Sequence, residues 1–130
     1  MRDKLKGKRI MVWTFMGNAR MYEALRDYGD RIDTIGLFSF KVDKTGTITE
    51  SGVAISNMLT YINKWPHIRW LFTVANDGAN SIFKALRDNT DGAQDKFCSE
   101  LVRIMEKYPW CSGVDIDLEK GDDYSTREAS

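Results

Sequence analysis

The sequence predicts an α/β fold of parallel strands alternating with helices, and three observations support this. Strand-like apolar runs alternate with segments whose apolar residues recur at helical spacing. The composition of 130 residues, 42% hydrophobic and 29% charged with two prolines, fits one globular domain. A run near the end, SGVDIDLE, sets acids at alternate positions of a predicted strand. Four successive βα units of this kind form either an open doubly wound sheet or half of an eight-stranded barrel.

Strand and helix signals follow one another along the whole chain. The predicted strands span residues 9–15, 31–42, 68–75 and 114–118. The predicted helices span residues 18–28, 53–64, 81–87 and 95–108, and all but the short third one carry an apolar stripe at helical spacing. Gly29 and Pro66 end the first two helices, and a turn at residues 43–46 ends the second strand.

The last predicted strand alternates acidic and apolar residues. Successive side chains of a strand point to opposite faces, so the acids share one face: Asp115, Asp117 and Glu119. The apolar residues on the other face should contact helices: Val114, Ile116 and Leu118. Burying acids on a covered face of a parallel sheet costs free energy, so acids at such positions are expected to have a function. Because barrel enzymes carry their chemistry at the carboxyl ends of the strands, where Glu119 lies, the acidic strand favours the half barrel.

Two other interpretations of these acids remain open. They could form a solvated strand face, or their oxygens could bind magnesium or calcium. Two roles are also open for the aromatic residues Trp13, Phe38 and Phe40. They could stack on a ligand, and packing in the core is at least as well supported. The preferred interpretation includes no metal ion and no other cofactor.

The composition argues against several classes of partner. The net charge is zero, so no basic surface indicates nucleic acid, and no segment is long enough to span a membrane. Cys98 and Cys111 are too few for a disulfide framework and lack the spacing of a zinc site. The amino terminus imitates a signal peptide, but Asp3 interrupts its basic part and no clear cleavage site follows.

The acidic strand also carries a family resemblance. Residues 113–119 resemble the fourth-strand signature of glycoside hydrolase family 18, the chitinase and endo-N-acetylglucosaminidase family, whose pattern is Asp-Gly-x-Asp-x-Asp-x-Glu. Residues 10–13 resemble the family's first strand, and residues 38–40 resemble its second-strand motif. Residues 73–76 lie where the family has Ser-x-Gly-Gly. The resemblance therefore covers most of the chain in the correct order.

The chain also departs from the family pattern. Ser112 replaces the first aspartate, Leu118 replaces an aromatic residue, and Ala75 with Asn76 replaces the glycine pair. The change at Ser112 alters the outer support of the carboxylate relay, the row formed by Asp115, Asp117 and Glu119. The other changes alter the floor of the sugar site. Divergence without a secretion signal is similar to phage-encoded or tail-associated members, which leaves the localisation open between a virion and the cytoplasm before release.

The resemblance implies hydrolysis of β-linked N-acetylglucosamine glycans, either chitin or peptidoglycan, by a substrate-assisted retaining mechanism. Glu119 would be the general acid/base, Asp117 would orient the acetamido group, and Asp115 would share a proton with Asp117. The residues expected to contact substrate are Trp13, Phe40 and Thr73. A non-catalytic carbohydrate-binding or structural module of a phage tail or cell wall is the alternative.

The resemblance also implies that this chain is incomplete as a catalyst. Residues 1–130 would be the amino-terminal part of one barrel domain, cut after the fourth strand. The isolated chain is therefore expected to be inactive, and its open sheet edges favour self-association. The expected partner of the intact protein is an N-acetylglucosamine polysaccharide, with no nucleic acid and no membrane.

Overall fold

The structure, a computed structural model, describes residues 7–15, 19–50 and 59–121. The strands are β1 (Met11–Phe15), β2 (Thr34–Val42), β3 (Ile48–Glu50), β4 (Arg69–Ala75) and β5 (Gly113–Asp117). The helices are α1 (Ala19–Tyr28), α2 (Leu59–Lys64), α3 (Asn80–Arg87) and α4 (Ala93–Lys107), with short 3-10 helices at Gly29–Arg31 and Thr90–Gly92. This order matches the predicted alternation of strands and helices.

Four of the strands form a parallel sheet in the order β1-β2-β4-β5, and β3 pairs antiparallel with β2. This confirms the predicted α/β class with parallel strands. Connections between parallel strands are right-handed, so strands added steadily in one direction place their helices on one face. The sheet therefore has a helix-covered face and an open face, as in part of a barrel wall, whereas a doubly wound sheet has helices on both faces.

The helix-covered face forms the hydrophobic core. Its fully buried sheet residues alternate along β2 and β4: Ile35, Leu37, Trp70, Phe72 and Val74. The same core cluster includes the helix residues Leu25, Leu86, Phe97, Leu101 and Ile104. Each such burial contributes about 1.5–3 kcal/mol, which fixes which side of each strand faces the helices. The intervening side chains consequently lie on the open face.

The turn predicted at residues 43–46 belongs to a β-hairpin, because the chain continues into β3 and pairs with the end of β2. Oδ1 of Asp43 closes the turn by accepting hydrogen bonds from the N–H groups of Thr45 at 2.8 Å and Thr47 at 3.1 Å. Strand β3 has three residues, too few for a recognisable alternation, so the sequence pattern does not predict it.

A buried carboxylate fastens this hairpin to α4. Glu100 is 8% exposed, and its Oε1 accepts a hydrogen bond from the Ile48 N–H at 3.3 Å. The guanidinium of Arg103 donates to its Oε2. The Arg103 hydrogen bond holds the pKa of Glu100 below its ordinary value, against the opposing effect of burial. The hairpin and α4 are thus joined by a group that works as a carboxylate.

Strand β5 pairs with β4 alone among the described strands. Val114 and Leu118 pack against the core, but Ile116 is 49% exposed. The prediction that all three apolar residues lie against helices therefore does not hold for Ile116, about half of which is exposed.

The predicted helices at residues 18–28 and 53–64 correspond to α1 and α2, although residues 16–18 and 51–58 lie outside the described part of the chain. In that described part, no helix combines the length and apolar character needed to cross a membrane.

Candidate active site

Asp115 lies on the open face of the sheet, where side chains from two other strands hold its carboxylate. Nε1 of Trp13, in β1, donates a hydrogen bond to Oδ2 of Asp115 at 2.7 Å. Oγ1 of Thr73, in β4, donates to the same oxygen at 3.0 Å. Thr73 is the register partner of Asp115, whereas Trp13 reaches it from the far side of the sheet. The orientation of this carboxylate is therefore set by hydrogen bonds from β1 and β4, the two strands that flank β2.

Trp13 can reach Asp115 because Gly36 of β2 has no side chain. A β carbon at Gly36 would lie 2.6 Å from Cδ1 of Trp13 and 2.8 Å from Oγ1 of Thr73. Both distances are well below the roughly 3.5 Å at which non-bonded carbon atoms meet. The indole consequently lies over β2, and 55% of Trp13 remains exposed on the open face.

Asp117 and Glu119 follow Asp115 at the carboxyl end of β5, but only Asp117 belongs to the strand. Asp117 pairs with Ala75 and lies two residues beyond Asp115, so the two aspartates share a face. The strand ends at Asp117, so the alternation used to predict the position of Glu119 does not extend to it. Glu119 is exposed, and a different interaction fixes its main chain.

That interaction is a pair of hydrogen bonds from the side-chain amide of Asn76. Oδ1 of Asn76 accepts from the N–H of Glu119 at 2.9 Å, and Nδ2 donates to the carbonyl of Glu119 at 2.8 Å. Nδ2 also donates to the carbonyl of Ala79 at 3.2 Å. Asn76 is 2% exposed, so these bonds are shielded from water. In the sequence Asn76 is recognisable only as a departure from a glycine of the family pattern, and no role was predicted for it.

A tight turn directs the Asn76 side chain towards β5. The Ala79 N–H donates to the carbonyl of Asn76 at 3.0 Å, and the two central residues, Asp77 and Gly78, have positive φ angles of 51° and 70°. Two positive φ angles are the mark of a type I′ turn, for which Asp-Gly is a favoured sequence. The dipeptide was therefore the available signal that β4 ends sharply at Asn76.

The predicted substrate contacts are not all on the open face. Phe40 is 1% exposed, and its ring packs 4.6 Å from that of Phe72 in the core. The register of β2 shifts between Phe38 and Phe40, which moves Phe40 to the helix-covered face. Phe40, which was predicted to contact substrate, therefore packs in the core here, the alternative that the sequence left open for it. Thr73 is on the open face but fully buried, so its hydroxyl serves Asp115.

Two aromatic residues outside the predicted set lie beside Trp13. Phe38 is opposite Phe15 in the register, and their rings stack with centroids 5.3 Å apart. Phe15 is 64% exposed. The sequence signal for Phe15 was its spacing. It follows Trp13 by two residues and therefore shares the face of β1 on which Trp13 lies. These three residues, of which Phe38 is partly buried, form an exposed aromatic surface on the open face, and Trp13 links it to Asp115.

The described residues offer no metal centre. Among residues 7–15, 19–50 and 59–121, no group of three His, Cys, Asp or Glu side chains is arranged to hold a metal ion. The interpretation of the three acids as magnesium or calcium ligands therefore gains no geometric support from this part of the chain.

The chain is similar to several solved structures of known proteins. No family model and no curated protein matches the chain. The structure is similar to a chitinase from Chromobacterium violaceum, with a TM-score of 0.66 and 20% identity over 82% of this chain and 34% of that one. It is similar to the spore cortex-lytic enzyme SleL of Bacillus cereus, with a TM-score of 0.68 and 19% identity over 93% of this chain and 29% of that one.

A chitinase from Bacteroides thetaiotaomicron is a third neighbour, with a TM-score of 0.67 and 14% identity over 91% of this chain and 38% of that one. This chain thus spans about a third of the length of the structures it matches. At these identities the likeness concerns the fold. The chain has the α/β fold of part of a chitinase-like barrel.

Proposed function

We propose that the intact protein hydrolyses β-linked N-acetylglucosamine glycans, chitin or peptidoglycan, as a divergent member of glycoside hydrolase family 18. Residues 1–130 would be the amino-terminal part of its single barrel. The observation that carries the proposal is the hold of Trp13 and Thr73 on Asp115, on the open face of a chitinase-like sheet. This arrangement orients the first acid of a series that leads to Glu119 at the carboxyl end of β5.

In the proposed reaction Glu119 donates its proton to the glycosidic oxygen as the bond to the anomeric carbon breaks. The acetamido oxygen of the same sugar attacks that carbon from the other side, which gives a cyclic oxazolinium ion. Asp117 orients the acetamido group and stabilises the positive charge on its nitrogen. Water then attacks the anomeric carbon, Glu119 recovers the proton, and the product retains its configuration. The exposure of Glu119 supports this role, because the leaving oxygen must reach it.

The exposed aromatic surface supports a sugar ligand. The apolar faces of pyranose rings stack on aromatic side chains, and Trp13 and Phe15 are 55% and 64% exposed on the open face. Because its indole N–H is bonded to Asp115, Trp13 would couple ring stacking to the orientation of the acids. Phe38 would extend the same surface.

The experiment that tests this function is a reducing-end assay of the full-length protein on N-acetylglucosamine oligomers and on purified peptidoglycan. Glu119→Gln should lower turnover on the order of 100-fold or more, as loss of a general acid/base does. Glu106→Gln is the matched control, because Glu106 is an exposed residue of α4. Equal turnover by wild type and Glu119→Gln would remove Glu119 from the mechanism.

One observation favours the non-catalytic alternative. Ser112 replaces the first aspartate of the family pattern, and it is exposed before the start of β5, with its N–H donated to the Trp70 carbonyl at 2.8 Å. A carbohydrate-binding module could keep the aromatic surface after its carboxylate relay had lost this outer support. Binding of the oligomers by the wild-type protein without any release of reducing ends would favour this second function.

A further inference from the structure

We propose that Asn76 is a positioning residue of the active site, whose side chain fixes the main chain of Glu119 and so aims its carboxyl group. The inference rests on the proposed function, since it takes Glu119 as the acid/base. It concerns a position where this chain departs from the glycine of the family pattern.

The β4–β5 ladder shows why a side chain is needed here. Main-chain pairing ends at Ala75 and Asp117, because β4 turns away immediately afterwards at Asp77 and Gly78. The N–H and carbonyl of Glu119 would then have no main-chain partner on β4. The amide of Asn76 supplies an acceptor and a donor, at 2.9 Å and 2.8 Å, and so continues the ladder by one further step.

The chemistry of the amide fits this task closely. An asparagine side chain has one acceptor oxygen and two N–H donors. Oδ1 and one donor bind Glu119, and Nδ2 also binds the Ala79 carbonyl at 3.2 Å. An aspartate of the same shape could still accept from the Glu119 N–H. It would, however, place a negatively charged carboxylate oxygen against the carbonyl oxygens of Glu119 and Ala79, to which the asparagine donates hydrogen bonds.

A second close contact holds the chain that follows β5 against the turn that follows β4. A β carbon at Gly121 would lie 2.1 Å from the carbonyl oxygen of Gly78. The chain leaving β5 therefore packs directly on the turn that ends β4. Glu119 is thus held between the end of β5 and this contact, and the Asn76 amide is the polar link between the two segments.

The test is a kinetic and structural comparison of Asn76→Asp and Asn76→Ala in the full-length protein. Both variants should lower kcat ~10- to 100-fold with little change in KM, because a misplacement of about 1 Å has this effect on a reacting group. Asn80→Ala is the matched control. Asn80 lies in the same segment, but its buried Oδ1 has no hydrogen-bond partner, so kcat should be unchanged.

Hydrogen exchange at the Glu119 amide separates this proposal from the proposed function, because it needs no activity. The amide should be protected in the wild type and in Asn80→Ala, and should lose that protection in Asn76→Ala while the amides of β4 keep theirs. Retained protection, or an unchanged kcat in folded Asn76 variants, would overturn the positioning role. A wild-type protein that releases no reducing ends would instead defeat the proposed function, whatever the exchange data show.

Discussion

The substitution Gly36→Ala tests whether the open face depends on a missing side chain. The new β carbon would lie 2.6 Å from Cδ1 and 2.9 Å from Nε1 of Trp13, and 2.8 Å from Oγ1 of Thr73. Thr73 is fully buried and cannot move far, whereas Trp13 is 55% exposed and can swing out. We expect the indole to move and to release its hydrogen bond to Asp115.

The size of the effect follows from the competing costs. Overpacking by one carbon in a fixed site costs about 1–3 kcal/mol. A hydrogen bond to a charged group contributes about 1.5–3 kcal/mol, and less where water can replace the lost donor. Replacing glycine by alanine within a strand returns roughly 0.5–1 kcal/mol of backbone entropy. Moving Trp13 relieves the contact with the indole but leaves the one with Thr73, so the net loss of stability should be about 1–3 kcal/mol.

Urea unfolding measures this loss, and NMR of the Trp13 indole N–H reports whether the bond to Asp115 persists. A double-mutant cycle with Trp13→Ala gives the control, because that background lacks the atoms that crowd Gly36 from β1. The cost of Gly36→Ala should shrink there and keep only the contact with Thr73. An equal cost in both backgrounds, or an unmoved indole resonance in Gly36→Ala, would refute the reasoning.

Two further predictions concern the chain as a whole. The folded-state pKa of Glu100 is below its ordinary value of 4.5, so its contribution to stability is present above that pH and is lost as the pH falls through the folded pKa. The urea midpoint of Glu100→Gln should consequently fall less than that of the wild type between pH 6 and pH 3, and parallel curves would contradict this. The isolated 14.9 kDa chain should sediment as more than a monomer and release no reducing ends, because β1 and β5 form open edges of the sheet in the described residues. A monodisperse, active monomer would show that the domain boundary is wrong.

The sequence predicts the four parallel strands well because local patterns determine them. Apolar runs bounded by glycine, proline and polar turns need no knowledge of the neighbouring strands. Alternation likewise brings Asp115 and Asp117 to one face, as their register with β4 shows. The burial of Phe40 has a different origin. A register shift after Phe38 depends on how β2 fits β4, and a period-2 pattern cannot report it.

The alternating pattern also could not predict the position of Glu119. Its predicted position assumed that β5 continues to residue 119, whereas the strand ends at Asp117. What fixes its main chain instead is Asn76, which is 43 residues away in sequence. The sequence signals such a distant contact only indirectly, through the Asp77-Gly78 turn that follows β4.

Two contacts of the β5 segment come from β4 and the residue that follows it, and under the proposed function this has a mechanistic consequence. Thr73 binds the side chain of Asp115, and Asn76, three residues later, binds the main chain of Glu119. A displacement of β4 along β5 would therefore move both acids together and preserve their mutual spacing. The loss of either contact would instead move one acid relative to the other. Under the proposed function, Thr73→Val and Asn76→Ala should accordingly each lower kcat in the reducing-end assay, the first through Asp115 and the second through Glu119, because β4 and the residue that follows it set the geometry between the two acids.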